Sequence, residues 1–168
     1  MDLMAKLKTW FNGKVEPEHL RRGKLGEHTA KRYLQKHGMK FLTANFRSER
    51  GEIDLIFRAE DCPSADTAIL RKPLKMRKLK IMRNCTDCLV FVEVKTRSSE
   101  EWARPAAAVD RERRQRLTRA ALDYLHRLKN PAVKIRFDIV EVLLQDSRVR
   151  EVRHLPNAFA MERPYRYA

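Results

Sequence analysis

An acidic and a basic residue lie two positions apart in the middle of a hydrophobic segment. The segment, residues 89–97, reads LVFVEVKTR, and its β-branched and aromatic residues predict a β-strand. Since residues two apart in a strand share a face, Glu93 and Lys95 should lie beside Phe91 and opposite the valines. Ionised groups are costly to bury unless they are paired, hydrogen-bonded or bound to a cation. The triplet therefore indicates either a structural ion pair on a half-exposed strand or the edge of an active site.

Two further carboxylates occupy positions where a packed element would favour an apolar residue. Asp54 lies between Ile53 and Leu55 in a predicted strand. Aspartate is a poor strand former, and here it should need a cation or a hydrogen-bond donor. Glu27 lies on the apolar stripe of a predicted helix, where it either reaches water at the edge of the stripe or is directed towards the sheet. The stripe consists of Leu20, Gly23, Glu27, Ala30 and Leu34.

The hydrophobic pattern predicts the elements that hold these residues. Apolar stripes predict a first helix from Glu18 to about His37 and a second helix from Pro105 to about Lys129. Alternation of apolar and polar residues predicts strands over 39–47, 52–58, 89–97 and 133–143, and a last short strand over 149–155. The predicted order of elements is therefore αβββαββ.

Pairing of the second and third strands would bring the charged residues together. In the second strand, Ile53 and Leu55 are expected on one face and Asp54 on the other. If the two strands pair antiparallel, Asp54 and Glu93 lie on the same face of adjacent strands. Glu27 then reaches them from the first helix.

Three carboxylates and a lysine at one point support a specific chemistry. Carboxylate oxygens are hard ligands that suit Mg²⁺ or Mn²⁺. A protonated lysine cannot bind a metal, but it can orient a water molecule or stabilise an anionic transition state. On a basic domain, this combination points to hydrolysis of phosphodiester bonds by Glu27, Asp54, Glu93 and Lys95.

The charge of the chain indicates a polyanionic partner. The 168 residues carry a net charge of +15 and the pI is about 10.2, which favours nucleic acid first and an anionic membrane surface second. Clustered arginines on the second helix either contact phosphates or form a solvated helix face together with neighbouring acids. The candidate phosphate-binding residues are Arg97, Arg113, Arg114, Arg116, Lys72, Lys75 and Lys78.

The length is that of a single domain, with two basic tails and one long insertion. We assign residues 1–17 to an N-terminal tail, 18–160 to the domain and 161–168 to a C-terminal tail. An excursion over 59–88 separates the second and third strands and is strongly basic over 70–83. It is either an arm that contacts phosphates or a loop that is only solvated.

Several classes of protein are not supported by the sequence. No apolar run approaches the roughly 20 residues that a membrane span needs, and no secretory signal is recognisable. Three cysteines do not make a disulfide framework, so a reducing, cytoplasmic compartment is expected. Cys85 and Cys88 have the spacing of a zinc knuckle and Cys62 is a third candidate ligand, but a fourth ligand is missing nearby. Cys88 is more simply a small buried residue.

Several segments of the chain resemble a known protein family. Asp54, followed after an interval by Glu93-Val94-Lys95, is similar to the D…E-x-K arrangement of the PD-(D/E)xK nuclease superfamily. The chain resembles more closely the uncharacterised bacterial YraN family, over roughly residues 20–160 outside the excursion. The segments that carry this resemblance are Gly26-Glu27, Asn45-Phe46-Arg47, Gly51–Ile56, Val90–Arg97, Ala108-Val109, Arg136–Val140 and Asn157-Ala158-Phe159.

The resemblance implies a restriction-endonuclease-like fold, an α/β core with a mixed central β-sheet flanked by helices. By likeness to archaeal Holliday-junction resolvases, Glu27, Asp54 and Glu93 would be metal ligands and Lys95 the catalytic lysine. The substrate would be DNA rather than RNA, and cleavage of two strands at a junction would favour a homodimer. The chain departs from the family in elements that should flank the substrate. The excursion replaces a short turn between the second and third strands. Before the second helix, Trp102-Ala103 stand where Phe-Gly is usual and Ala107 replaces an acid, and within the helix Arg113 stands where a lysine is usual.

Three functions follow from these observations. The first is a metal-dependent endonuclease that cleaves DNA and selects a DNA structure. The second is a nucleic-acid-binding protein that keeps the nuclease fold without cleaving. The third is a protein that binds a partner or a membrane surface through the basic residues 70–83.

Overall fold

The computed structural model describes residues 16–60, 88–98, 109–131 and 133–161. These residues form two helices and five strands in the order αβββαββ, which confirms the predicted order. The elements are α1 (Glu18–Lys36), β1 (Lys40–Ser48), β2 (Gly51–Ala59), β3 (Cys88–Ser98), α2 (Arg111–Arg127), β4 (Lys134–Gln145) and β5 (Arg148–Phe159).

The five strands form one mixed sheet in the spatial order β1-β2-β3-β4-β5. β3 and β4 are parallel, and the other three pairs are antiparallel. A parallel pair needs a crossover connection, and the segment that contains α2 supplies it. The predicted α/β class, with a mixed sheet and helices against it, is confirmed.

Each helix covers one face of the sheet, so β3 is buried on both sides. On the α1 side, Val90 and Val92 pack in one cluster with Ala30 and Leu34 of α1. The α2 side has a second cluster, in which Phe91 packs with apolar residues of α2. The predicted division of β3 into a valine face and a Phe91 face is therefore confirmed. A strand with apolar residues on both faces is expected when both faces are covered.

The alternation along β2 breaks at Asp54. Leu55 packs on the α1 side, but Ile53 packs on the α2 side, so the prediction that they share a face is wrong. The β2–β3 ladder runs from Ala59 only as far as Leu55, which pairs with Val92. Beyond this point the strands separate, and the Asp54 side chain replaces the lost backbone bond. A regular period of two fails where a strand leaves its partner.

The second helix begins later than predicted. It starts at Arg111 rather than at Pro105. Asp110 has an extended backbone and its carboxylate accepts the backbone N–H of Arg113 at 2.7 Å, so Asp110 is the N-cap. Val109 is buried, but it precedes the helix. Residues 105–108 lie outside the described part of the chain.

Two further predictions from hydrophobic pattern are corrected. Leu20 is 48% exposed, and the buried stripe of α1 consists of Gly26, Ala30 and Leu34. The last strand extends to Phe159 rather than ending near Leu155. The buried Asp138 accepts the backbone N–H of Asn157 at 2.9 Å. This bond holds an irregular step in β5, after which the strand pairs again with β4.

Several predictions fall outside the described residues. The structure does not describe the excursion, which includes Lys72, Lys75 and Lys78. It also does not describe Cys62, Cys85 or most of the two tails. β2 ends at Ala59 and β3 begins at Cys88, and Cys88 is a buried free thiol, as predicted. Neither described helix is long and apolar enough to cross a membrane.

Candidate active site

A cavity of about 450 Å³ opens where β2 and β3 separate. Both helices and both strands contribute to its walls. All four residues predicted to be catalytic line it, together with one of the predicted phosphate-binding arginines. The lining residues are His19, Arg22, Gly23, Glu27, Asp54, Glu93, Val94, Lys95, Thr96 and Arg113. The structure therefore brings together residues from distant parts of the sequence, as the strand pairing predicted.

Asp54 lies in the gap between the two strands. Its Oδ2 accepts the backbone N–H of Val94 at 2.7 Å, so the carboxylate takes the place of a strand partner. Burial and the neighbouring charge of Glu93 raise the pKa of Asp54 to about 7, against the lowering effects of the Val94 N–H and of Arg113. This carboxylate therefore binds a proton near neutral pH when no metal ion is beside it.

Glu93 is almost completely buried, with 2% exposure, and is held by two cations. Arg113 binds it with both ends of its guanidinium, Nε to Oε1 at 3.0 Å and Nη2 to Oε2 at 2.8 Å. The Lys95 ammonium lies 2.8 Å from Oε1. A bidentate arginine pair fixes the orientation of a carboxylate as well as its charge. The ion pair of the first interpretation of the E-x-K triplet is therefore present, but the expected half-exposed strand is not, because Glu93 is buried.

Glu27 reaches the cavity because α1 lies unusually close to β3. A Cβ added to Gly26 would overlap Thr96 Oγ1, so only glycine permits this approach. Glu27 follows directly and is half-buried at the cavity wall. Its Oε2 accepts a hydrogen bond from Asn45 Nδ2 at 3.1 Å. Both interpretations of Glu27 hold in part, because the residue lies half-exposed at the edge of the buried stripe and its carboxylate is bonded to Asn45 of the sheet.

A close helix contact also positions Arg113. A Cβ on Gly51 would lie 2.6 Å from the backbone oxygen of Arg116, so α2 packs directly on the start of β2. The cap at Asp110 starts the helix two residues before Arg113, and the guanidinium then points into the cavity. It also lies 3.5 Å from Glu52.

The other predicted phosphate-binding residues in the described chain do not line the cavity. Arg97 lies 3.9 Å from the buried Glu141. Arg114 is half-buried. Arg116 is exposed and lies 3.6 Å from Glu112 within the same helix. These arginines are therefore at most peripheral to the cavity.

The carboxylates fit a divalent cation in chemistry but do not form a ready site. Among the described residues, no three acidic, histidine or cysteine side chains converge closely enough to hold a metal. Glu27 is bonded to Asn45, and both oxygens of Glu93 are bonded to Arg113. The half-buried Asp54 and the buried Glu93 nevertheless supply two sets of hard oxygen atoms side by side. Burial first, and then the negative charge of Glu93, raise the pKa of Asp54, and a cation bound beside the carboxylate would offset both.

Sequence reasoning missed five residues that bear on this region. His19, Arg22 and Gly23 line the cavity from the first two turns of α1, and Asn45 holds Glu27. The predicted helical stripe already contained Gly23 without a functional role, and the same helical face could have identified His19 and Arg22. The fifth residue, Glu141, is buried next to Arg97. Its position opposite Lys95 in the parallel β3–β4 ladder needs the strand register, which sequence alone does not provide.

Comparison with known sequences shows which protein family and which individual proteins the chain is similar to. The model of the uncharacterised protein family UPF0102 matches residues 26–142. A UPF0102 protein from Trichlorobacter lovleyi is 33% identical over 137 residues, which are 82% of this chain and 88% of that protein. One from Pelobacter propionicus is 30% identical over 147 residues, 88% of each chain. One from Solibacter usitatus is 37% identical over 127 residues, 74% of this chain and 76% of that protein.

Proposed function

The chain belongs to the UPF0102 family, also called the YraN family, and we propose that it is a metal-dependent endonuclease that hydrolyses DNA phosphodiester bonds. One observation carries the proposal: Asp54, Glu93 and Lys95 line a single cavity in a protein of net charge +15. Carboxylates that share a buried cavity with a lysine are suited to reactions at phosphate.

The positions of these residues in the sheet give the proposal further support. The proposed core is restriction-endonuclease-like, with Asp54 on β2 and the E-x-K triplet on β3. Asp54 lies directly beyond the end of the β2–β3 ladder at Leu55, so it and Glu93 flank the point where the two strands separate. The element order αβββαββ agrees with it. Because a fold hosts many functions, the weight rests on the cavity rather than on the sheet.

Each residue has a proposed role. Asp54 and Glu93 hold Mg²⁺ or Mn²⁺, and Glu27 binds it directly or through water. The bound ion would activate water and neutralise charge on the phosphate. Lys95 keeps its ammonium next to Glu93 and donates hydrogen bonds to the attacking water or to a phosphate oxygen. Asn45 orients Glu27.

A second candidate function is nucleic-acid binding without cleavage. The observation that favours it is the bidentate bond between Arg113 and Glu93, which neutralises a proposed metal ligand from within the protein. In this case nucleic acid would bind equally well with and without EDTA, and no products would form.

The experiment is a cleavage assay with branched, nicked and single-stranded DNA, and with RNA, in Mg²⁺ or Mn²⁺. The wild type should cleave at least one DNA substrate, while Asp54→Asn, Glu93→Gln and Lys95→Met should lose about 100-fold or more in rate. Glu151→Gln is the matched control, because Glu151 is an exposed strand glutamate away from the cavity. Cleavage that survives in the Asp54 and Glu93 variants would exclude this site. Metal-independent binding without products would support the second candidate.

A further inference from the structure

We propose that the first two turns of α1 form the binding site for the DNA phosphodiester backbone beside the cleaved bond, through Arg22 and His19 and with Gly23 as the point of closest approach. This inference rests on the proposed function, since it identifies the substrate wall of the same cavity. The family match begins at residue 26, so it does not include these three residues.

Arg22 differs from the other cations of the cavity. Lys95 and Arg113 both pair with Glu93. Arg22 is half-buried at the cavity wall, and within the described residues no carboxylate pairs with it. A half-buried guanidinium without an internal acid is free to bind an external anion, and its planar fork suits a phosphate.

Gly23 has no packing reason to be a glycine. Gly26 and Gly51 are close to Thr96 and Arg116, which explains the absence of a side chain at those positions. A Cβ on Gly23, in contrast, would have nothing within 4 Å. Glycine inside a helix costs about 1 kcal/mol relative to alanine, and Gly23 lines the cavity. We infer that the missing side chain keeps the cavity wall low enough for a ligand backbone to lie against the helix.

The spacing of the wall agrees with an extended ligand. His19, Arg22, Gly23 and Glu27 follow one helical face, and the eight residue-to-residue steps from 19 to 27 span about 12 Å of helix axis. At about 3.4 Å per nucleotide along a strand, this length covers more than one phosphate. The wall runs from Glu27, near Asp54, towards the start of α1. These residues would contact the charged phosphates of the DNA rather than its bases, so binding would be independent of base sequence.

The first experiment measures binding of fluorescent DNA by anisotropy in EDTA, at several salt concentrations. Arg22→Gln should weaken binding about tenfold and reduce the salt slope by about one, as expected for the loss of one phosphate contact. Arg21→Gln is the matched control, because Arg21 is the neighbouring arginine, is exposed and does not line the cavity. It should change the affinity less than twofold.

The second experiment tests Gly23 without changing charge. Gly23→Leu should block the wall and lower DNA affinity about tenfold while the protein remains folded, since the added side chain meets open space. Gln35→Leu places the same residue on an exposed position of α1 and should leave the affinity unchanged. Circular dichroism melting of each variant separates loss of binding from loss of folding.

The outcomes distinguish this inference from the proposed function. If the wild type binds and cleaves DNA but Arg22→Gln matches Arg21→Gln and Gly23→Leu matches Gln35→Leu, the wall assignment is overturned and the nuclease proposal stands. If the wild type neither binds nor cleaves DNA, both the proposed function and the assignment of α1 as the DNA-binding wall are overturned. Weakened binding in Arg22→Gln and Gly23→Leu alone supports the inference.

Discussion

At the scale of single residues, the cavity is defined by a half-buried acid, Asp54, and a buried acid, Glu93, whose charges are only partly balanced. Asp54 accepts one hydrogen bond from a backbone N–H, and Glu93 is paired with the side chains of Arg113 and Lys95. Their types and spacing were predictable from sequence because carboxylates inside apolar strands stand out against the pattern. The bond from Arg113 to Glu93 was not predictable. It depends on where α2 begins and on how closely α2 packs against β2, and both are tertiary properties.

The raised pKa of Asp54 predicts how stability depends on pH. Its folded pKa of about 7 exceeds the unfolded value of 3.8. The protonated form therefore favours the folded state, and this contribution is complete below about pH 4 and is lost as pH rises through 7. Denaturant unfolding in EDTA should show the free energy of unfolding falling over this interval in the wild type, relative to Asp54→Asn.

The control for this prediction is Asp146→Asn, an exposed aspartate in the turn between β4 and β5. It should keep the pH profile of the wild type. An Asp54→Asn profile that also follows the wild type would show that Asp54 does not titrate in this range. Added Mg²⁺ should stabilise the wild type more at pH 8 than at pH 5, because only the ionised carboxylate attracts it.

Arg113 should compete with the cation for Glu93. Replacing it by alanine removes two hydrogen bonds and a positive charge from the carboxylate. We expect Arg113→Ala to bind Mn²⁺ about tenfold more tightly in calorimetry, equivalent to about 1.4 kcal/mol. Arg116→Ala, on the exposed side of the same helix, should leave Mn²⁺ binding unchanged. Weaker Mn²⁺ binding in Arg113→Ala would mean that the arginine instead holds Glu93 in a metal-binding position.

At the scale of elements, two close helix–strand contacts decide where the site residues lie. The order of helices and strands followed from hydrophobic period, which is a local property. The exact starts and ends did not, because they depend on particular side chains. Asp110 caps α2, and Asp138 holds the irregular step that extends β5. Ile53 was assigned to the wrong face because β2 leaves β3 at Asp54, and no local pattern reports that separation.

The contact of α1 with β3 gives a prediction with an internal control. Gly26→Ala places a methyl group on Thr96 and should destabilise the protein by about 1–3 kcal/mol. Gly23→Ala, three residues earlier in the same helix, meets open space and should stabilise it by up to about 1 kcal/mol. Urea unfolding measures both.

Rescue by a second substitution tests the cause of the Gly26 effect. Adding Thr96→Ala to Gly26→Ala removes the overlapping hydroxyl but leaves Cβ atoms 3.1 Å apart, so recovery should be partial. Equal free energies of unfolding for Gly26→Ala and Gly23→Ala would show that α1 does not lie as close to β3 as described.

At the scale of the whole molecule, the net charge predicts the kind of partner, and the sheet defines the fold class. The α/β class was predictable from the alternation of helical and strand patterns, whereas the mixed sheet was expected only from the resemblance to the YraN family. The net charge of +15 is a property of composition, and it predicts a polyanion without saying where that polyanion lies. The position of the cavity between α1, α2 and two separating strands required the tertiary arrangement.

Affinity for DNA should therefore depend steeply on salt. For six to ten phosphate contacts, raising the salt from about 50 to about 200 mM lowers affinity by about 10³ to 10⁵. We expect a steep negative slope in anisotropy measurements with EDTA present. An analogue of the same base sequence with an uncharged backbone should bind at least 100-fold more weakly. Similar affinity for the charged and uncharged forms would exclude backbone recognition.

The central claim is that Asp54 and Glu93 form the cation site of a nuclease, and one measurement tests it most directly. Crystals soaked in the Mn²⁺ concentration used for the cleavage assay are measured at the manganese absorption edge. We predict an anomalous peak about 2.1 Å from a carboxylate oxygen of each residue, with Arg113 displaced from Glu93. No peak between them, with Arg113 still bonded to both oxygens of Glu93, would contradict it.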